Sequence, residues 1–115
     1  MWCINFENPR DDKIFLAFKA LKLLIILSLL THDCACIWIY LGITTDNGWL
    51  SDFDWRADGS EAYLNAHYFV VETFTTVGYG DYGASSNEEV WFLMFIELLG
   101  VMIFAAIMGE LQTFK

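Results

Sequence analysis

Two stretches of mostly apolar residues, at positions 23–41 and 90–108, constrain this chain more than any other feature of its sequence. Each stretch has 19 residues, close to the roughly 20 that an α-helix needs to cross a hydrocarbon core about 30 Å thick. The chain of 115 residues is 57% hydrophobic, which is high for a soluble domain of this size. The pattern predicts an all-α membrane protein with two transmembrane helices.

The basic residues are placed asymmetrically around these stretches. Five of the six lie before the first stretch or after the second, and only Arg56 lies between them. Because the loops that carry most basic residues stay on the cytoplasmic side, we expect a multi-pass protein of the cell membrane with both termini in the cytoplasm. The net charge of −9 argues against nucleic acid as a partner.

The chain between the two stretches is too polar to form another complete crossing. Residues 43–61 are rich in Asp, Asn and Gly, which is typical of solvated turns and predicts an outer turret. Ser60 and Glu61 mark a helix start, and a helix over residues 62–75 would be too short to span a bilayer. It can only be re-entrant or interfacial. A lead-in and outer helix over residues 14–42 and an inner helix over residues 88–110 complete the predicted fold.

A glycine-rich sequence follows the predicted short helix. Residues 76–80 read TVGYG, and Asp81 comes next. In this position the sequence resembles the selectivity filter of the potassium-channel pore family, and the resemblance extends over about residues 23–114. It implies that residues 1–115 form a single ion-channel pore domain, with a pore helix at 62–75 and a filter at 76–80 that conducts K⁺ passively.

The chemistry of such a filter is carried by the backbone. The carbonyls of Thr76, Val77, Gly78 and Tyr79 would replace the water shell of K⁺, and the Thr76 hydroxyl would add an innermost ring. Gly78 and Gly80 permit the required backbone angles because they have no Cβ. One chain supplies one wall of the pathway, so we expect a homotetramer with cyclic symmetry. K⁺ is the transported ion, and we expect no cofactor and no enzymatic reaction.

Two longer similarities narrow the resemblance. VETFTTVGYGD at residues 71–81 is similar to the bacterial proton-gated potassium channel. HDCACIW at 32–38 and GVMIFAAIMG at 100–109 are similar to the ether-à-go-go and cyclic-nucleotide-gated channels. The alternative function is therefore a weakly selective cyclic-nucleotide-gated-type cation channel, which the inner helix favours and the intact Tyr79, Gly80 and Asp81 oppose. These channels also imply cytoplasmic regulatory domains outside this sequence.

Other classes of protein fit the sequence less well. A potassium transporter of this fold would carry four pore repeats, usually with one glycine in each filter, whereas this chain has one repeat with Gly78 and Gly80. A non-conducting subunit is compatible with the same sequence. An enzyme is not expected, because His67 and the carboxylates form no recognisable catalytic set.

Three residues beside the filter are predicted to support it: Glu72, Thr75 and Asp81. Glu72 is an ionisable group in a mostly apolar half-helix, where it requires a partner. In the resembled bacterial channel the matching Glu and Asp interact behind the filter, which implies a pair between Glu72 and Asp81. A solvated Glu72 carboxylate is the alternative. Asp81, at the outer mouth, can both anchor the strand and attract cations.

The inner helix offers a candidate cavity wall. Helical spacing places Glu97, Val101, Phe104 and Met108 on one face. If that face lines the cavity, four Glu97 carboxylates would concentrate cations there. Alternatively, Glu97 packs protonated or hydrogen-bonded against the pore helix near Thr75. Phe104 and Met108 would form an apolar gate near the cytoplasmic end, or else pack in the core.

Three further residues stand out inside the two apolar stretches. Gly100 is either a bending point for gating, as the family resemblance implies, or a site of close helix packing. His32 and Asp33 place polar groups within the first stretch, where they must face protein rather than lipid. His32 matches the pattern of the resembled family. Asp33 departs from it, and the sequence offers no explanation for this residue.

Overall fold

The structure, a computed structural model, describes residues 9–51 and 58–112. Within these residues the chain forms three helices: α1 (Pro9–Thr44), α2 (Gly59–Phe74) and α3 (Asn87–Gln112). By length and composition α1 and α3 can cross a membrane, whereas α2, with 16 residues, is only about 24 Å long. The predicted all-α fold with two spanning helices and a short helix between them is confirmed. The predicted turret falls partly on residues 52–57, outside the described residues.

α1 is one helix of 36 residues, about 54 Å long, where the sequence suggested a lead-in followed by a spanning segment. The two parts join because residues 10–41 contain no proline, which would remove a backbone hydrogen bond and kink the helix. Near its start, Lys19 forms an ion pair with Glu110 close to the end of α3. The first part of α1 is therefore joined to the last turn of α3.

An aromatic cluster at the other end holds the three helices together. Trp38 of α1 is fully buried, and its ring stacks on Phe69 of α2 at a centroid distance of 4.6 Å, on Trp49 at 5.7 Å and on Phe92 of α3 at 6.1 Å. The Trp49 indole N–H also donates to the Trp38 carbonyl at 2.9 Å. Gly42 allows this approach, because a Cβ there would lie 2.6 Å from Trp49 Nε1.

α2 begins at an aspartate cap. The Asp58 carboxylate accepts hydrogen bonds from the Ser60 hydroxyl at 2.6 Å, the Ser60 N–H at 3.1 Å and the Glu61 N–H at 3.2 Å. The Ser60 hydroxyl, followed by the Glu61 N–H, lowers the pKa of Asp58. The expectation that Ser60 starts the helix is therefore corrected. Asp58 is the cap, since its carboxylate reaches two free N–H groups of the first turn, and Ser60 lies inside the helix.

α3 crosses the end of α2 at close range. Gly100 is buried there, and a Cβ added to it would lie 3.0 Å from the Phe74 Cα. α3 runs through Gly100 without a break. The structure thus supplies a packing reason for this glycine, and the crossing places the residues after Phe74 beside the middle of α3.

Candidate ion pathway

The segment after α2 is tied to the helix it leaves. Thr75 is the C-terminal cap of α2, and its hydroxyl donates to the Val71 carbonyl at 2.8 Å. The N–H groups of Val77 and Gly78 both donate to the Glu72 carbonyl, at 3.0 and 3.4 Å. The first residues of the predicted filter are thus held against the last turn of α2, which Thr75 caps.

Along the predicted filter, every second residue has a positive φ, so left-handed and right-handed backbone conformations alternate. The angle φ is +61° at Thr76, +56° at Gly78 and +78° at Gly80, whereas Val77 and Tyr79 do not have positive φ. In an ordinary extended strand successive carbonyls point to opposite sides. Alternating the sign of φ is a way to turn successive carbonyls toward the same side, and glycine adopts positive φ without steric cost.

Apart from its hydrogen bonds to α2, the segment is open on its side-chain positions. The side chains of Val77 and Tyr79 are exposed, and among the described residues other than the chain neighbours no atom lies within 4 Å of a Cβ built on Gly78 or Gly80. Thr76 is a non-glycine residue with positive φ, a conformation that costs on the order of 1–3 kcal/mol and is typical of functional sites. Its hydroxyl donates to the Thr75 carbonyl at 2.6 Å, which leaves the oxygen lone pairs available.

A cluster of acidic and phenolic groups lies behind the segment. Glu72 on α2 is 5% exposed, and its Oε2 atom has no hydrogen-bond partner among the described residues. Burial, followed by the negative charge of Asp81, raises the pKa of Glu72. A hydrogen bond to the Asp81 carboxylate raises the pKa of the Tyr68 hydroxyl to about 12. The structure therefore brings Glu72 and Asp81 together.

Tyr68 is a member of this cluster that the sequence analysis missed. It precedes Glu72 by four residues on the same helix, so the two side chains share a face. That spacing was visible in the sequence. The spacing alone does not show that the phenol reaches Asp81, which depends on the path of the chain after Gly80.

Glu89 is a structural residue that the sequence analysis did not single out. Its side chain is fully buried at the start of α3, where one carboxylate oxygen accepts from the Trp49 N–H at 2.9 Å. The other oxygen accepts from the N–H groups of Ser85 and Ser86, at 2.8 and 3.3 Å. The Ser86 hydroxyl accepts from the Glu89 N–H at 3.3 Å. This reciprocal arrangement is a capping box, and it also joins α3 to the segment after α1.

The predicted cavity face of α3 lies open in the single chain. The side chains of Glu97, Val101, Phe104 and Met108 are all exposed and follow one side of the helix. Glu97 makes no hydrogen bond or ion pair with any residue in the described part of the chain, and the Thr75 hydroxyl is directed to α2 carbonyls instead. Within the described part of one subunit, no hydrogen bond joins Glu97 to Thr75.

Comparison with known proteins identifies an ion-channel family and several similar potassium channels. A family profile described as an ion channel matches residues 23–114. The voltage-gated inwardly rectifying potassium channel KCNH7 of Mus musculus is 30% identical over 79% of this chain and 9% of its own length. The potassium channels GORK of Arabidopsis thaliana and KOR1 of Oryza sativa subsp. japonica are 31% and 28% identical, each over 90% of this chain and 14% of its own length.

This chain thus spans only 9% to 14% of the length of these relatives. All three are named potassium channels, as the resemblance of residues 76–80 led us to expect. The family profile covers most of the chain, and both long helices are apolar enough to cross a membrane. The chain is therefore a membrane protein and belongs to the ion-channel family.

Proposed function

We propose that this chain is one subunit of a potassium-selective channel, in which four copies surround the pathway with the backbone carbonyls of residues 76–79. The observation that carries the proposal is the positive φ at Thr76, Gly78 and Gly80, at every second residue of a segment whose side-chain positions are exposed. Relatives named as potassium channels support the choice of ion.

The proposal rests on the cost of removing water from K⁺. A cation enters a narrow filter only if oxygen atoms replace its hydration shell, and rings of carbonyls from four TVGYG segments provide such oxygens. The Thr76 hydroxyl donates its proton to Thr75, so its oxygen can face the ion as an acceptor. The ion-binding residues are then Thr76, Val77, Gly78 and Tyr79, with Gly80 completing the backbone turn at the outer end.

The inner part of the pathway is assigned to α3. With the filter on the axis, the exposed face of Glu97, Val101, Phe104 and Met108 lines the water-filled cavity below it. Glu97 then attracts cations into the cavity, and Phe104 and Met108 form the apolar constriction that closes by excluding water. Gly100 lies on the neighbouring, buried side of α3, where bending of the helix would move this constriction.

The experiment is to measure reversal potentials of the protein in liposomes under opposed K⁺ and Na⁺ gradients. We expect reversal close to the K⁺ equilibrium potential and permeation of Rb⁺. Equal permeability to K⁺ and Na⁺ would overturn the proposal in favour of the weakly selective cation channel.

A matched pair of glycine variants tests the filter itself. Gly80→Ala forces a Cβ onto a residue with φ of +78° and should abolish selective flux. Gly83→Ala, three residues later, has no positive φ and no atom within 4 Å of the new Cβ, so it should conduct like the unmodified chain. Equal, selective flux in both variants would show that residues 76–80 do not form the filter.

A further inference from the structure

Asp33 is a charged side chain at the middle of a membrane-spanning helix. It lies 11 positions after Lys22 and 13 positions before Asp46, which is about 16 Å and 20 Å along the helix direction. The side chain is exposed and makes no hydrogen bond or ion pair with any residue in the two described ranges. A carboxylate at this depth is unfavourable in contact with lipid.

The side chain lies on the face of α1 that turns away from the rest of the chain. Ile26, Leu29, Ile37 and Tyr40 share that face with Asp33 at helical spacing, and all four are exposed. The opposite side of α1, with Thr31, Cys34, Ala35 and Trp38, is buried against the other two helices. Asp33 therefore points away from α2, α3 and the candidate ion pathway. We call residues 26, 29, 33, 37 and 40 the outer face of α1.

The chain itself offers no cation at this depth in its described part. The basic side chains there lie at residues 10–22, near the other end of α1, and the remaining two, Arg56 and Lys115, lie outside the described residues and outside both apolar stretches. The neighbouring His32 is already engaged, because its Nδ1 atom lies 2.6 Å from the Tyr63 hydroxyl. A positive charge beside Asp33 must therefore come from a partner outside the described part of this chain.

From these observations we infer that the outer face of α1 docks a transmembrane helix that carries a lysine or arginine at mid-membrane depth. The apolar residues before and after Asp33 provide about four helical turns of contact surface. Asp33 provides the single charge that selects a basic partner and fixes its depth. The inference goes beyond ion conduction and does not depend on which ion the pathway carries.

The probe is a synthetic transmembrane peptide of leucine with one central lysine, compared with the same peptide carrying leucine at that position. The channel chain, labelled with an energy-transfer donor at its N-terminus, and acceptor-labelled peptide are reconstituted in phosphatidylcholine liposomes. We expect the lysine peptide to associate about tenfold more tightly than the leucine peptide, the scale of polar contacts between membrane helices. A lysine placed two helical turns from the centre should lose this advantage.

The matched channel variant is Asp33→Asn, which keeps the size of the side chain and removes its charge. We expect it to bind both peptides equally while keeping the ion flux of the unmodified chain, since Asp33 faces away from the pathway. If the two peptides associate equally with the unmodified chain, the inference is wrong. Lipid or a second copy of the chain then covers this face instead. A lysine preference that survives in Asp33→Asn would also overturn it.

Discussion

Glu72 combines burial with a like-charged neighbour, and this determines how it responds to pH. Its raised pKa means that the folded chain binds the Glu72 proton more tightly than the unfolded chain does. The resulting stabilisation is complete below the ordinary value of 4.5 and is lost as the pH rises through the raised pKa. Above that pH, the carboxylates of Glu72 and Asp81 repel each other beside Tyr68 and Tyr79.

Replacing Glu72 should therefore change how long the filter stays conductive. In the resembled bacterial channel the link between these two carboxyl groups favours a slow collapse of the filter, and we expect the same here. Glu72→Ala removes one partner while leaving every filter carbonyl in place. It should slow the decay of current under sustained activation several-fold without altering ion preference, as recorded by current against time at one pH.

Control experiments distinguish the loss of the Glu72 carboxyl group from the loss of any negative charge on α2. Glu61→Ala removes an exposed carboxylate from the same helix and should leave the decay unchanged. In the unmodified chain, decay should slow as rising pH ionises Glu72, and Glu72→Ala should lack this dependence. Identical decay in the Glu72→Ala protein and in an unmodified chain that does inactivate would show that Glu72 does not control the filter.

Glu97 is the residue whose charge should affect conduction rather than selectivity. It is exposed on α3 and has no partner among residues 9–51 and 58–112. If it faces the cavity, Glu97→Gln should lower the single-channel conductance or weaken block by internal polyvalent cations, because the local concentration of cations falls. Preference for K⁺ should stay. Unchanged conductance and block would favour a packing role for Glu97 between subunits.

At the scale of elements, Glu89 links the start of α3 to the residues just before it and to a segment far away in sequence. Its carboxylate joins the start of α3 to Trp49, 40 positions earlier, and to the chain that leaves the filter at Ser85 and Ser86. Because all these partners are N–H donors, both carboxylate oxygens are needed as acceptors. A side-chain amide would turn an N–H₂ group toward one of these donors.

Glu89→Gln should lower the free energy of unfolding by about 1–3 kcal/mol, the cost of leaving buried donors unsatisfied. The measurement is thermal unfolding in detergent micelles. Glu88→Gln, at the exposed neighbouring position, is the matched control and should shift the midpoint far less. Equal shifts for the two variants would mean that Glu89 acts only through the helix dipole, as Glu88 does.

Alanine substitutions at Gly100 and Gly109, both on α3, distinguish a packing role of a glycine from a bending role. An added Cβ at Gly100 would meet the Phe74 backbone at 3.0 Å, whereas nothing lies within 4 Å at Gly109. Gly109→Ala should stabilise α3 by up to about 1 kcal/mol through helix propensity, while Gly100→Ala should destabilise the protein. If Gly100→Ala were equally stabilising in thermal unfolding, the close contact with Phe74 would be excluded and a hinge alone would explain this glycine.

The sequence predicted the elements better than it predicted their junctions. The apolar stretches marked α1 and α3 because membrane crossing requires a fixed length, whereas the filter at TVGYG stays a prediction. The Asp58 cap was missed because Ser60 is an equally good capping residue two positions later. The contact between Glu89 and Trp49 could not be predicted, since it depends on how the chain turns back after α1 at Gly48, where a Cβ would lie 2.8 Å from the Glu89 carboxylate.

For the whole molecule, the main feature is the apolar surface that one chain leaves uncovered. Exposed large hydrophobic side chains occur along α1 and α3 and in the filter segment. An open cavity of about 260 Å³ lies among the three helices, lined mostly by apolar residues such as Leu27, Phe74 and Ile103. Lipid can cover the outer surfaces, and in the proposed assembly other copies of the chain would cover Val77 and Tyr79 beside the pathway.

Assembly into four copies is the prediction that follows. One chain supplies a single strand of carbonyls, and a closed ring about the filter axis needs equivalent strands on all sides, which cyclic symmetry provides with one repeated interface. Chemical cross-linking in mild detergent should therefore give products that stop at four chains. Gly80→Ala should assemble as the unmodified chain does and lose only flux, because among the described residues, its chain neighbours aside, no atom lies within 4 Å of the added Cβ. A stable monomer or dimer that carries full ion flux would contradict the tetramer, and with it the assignment of residues 76–79 as one wall of a shared filter.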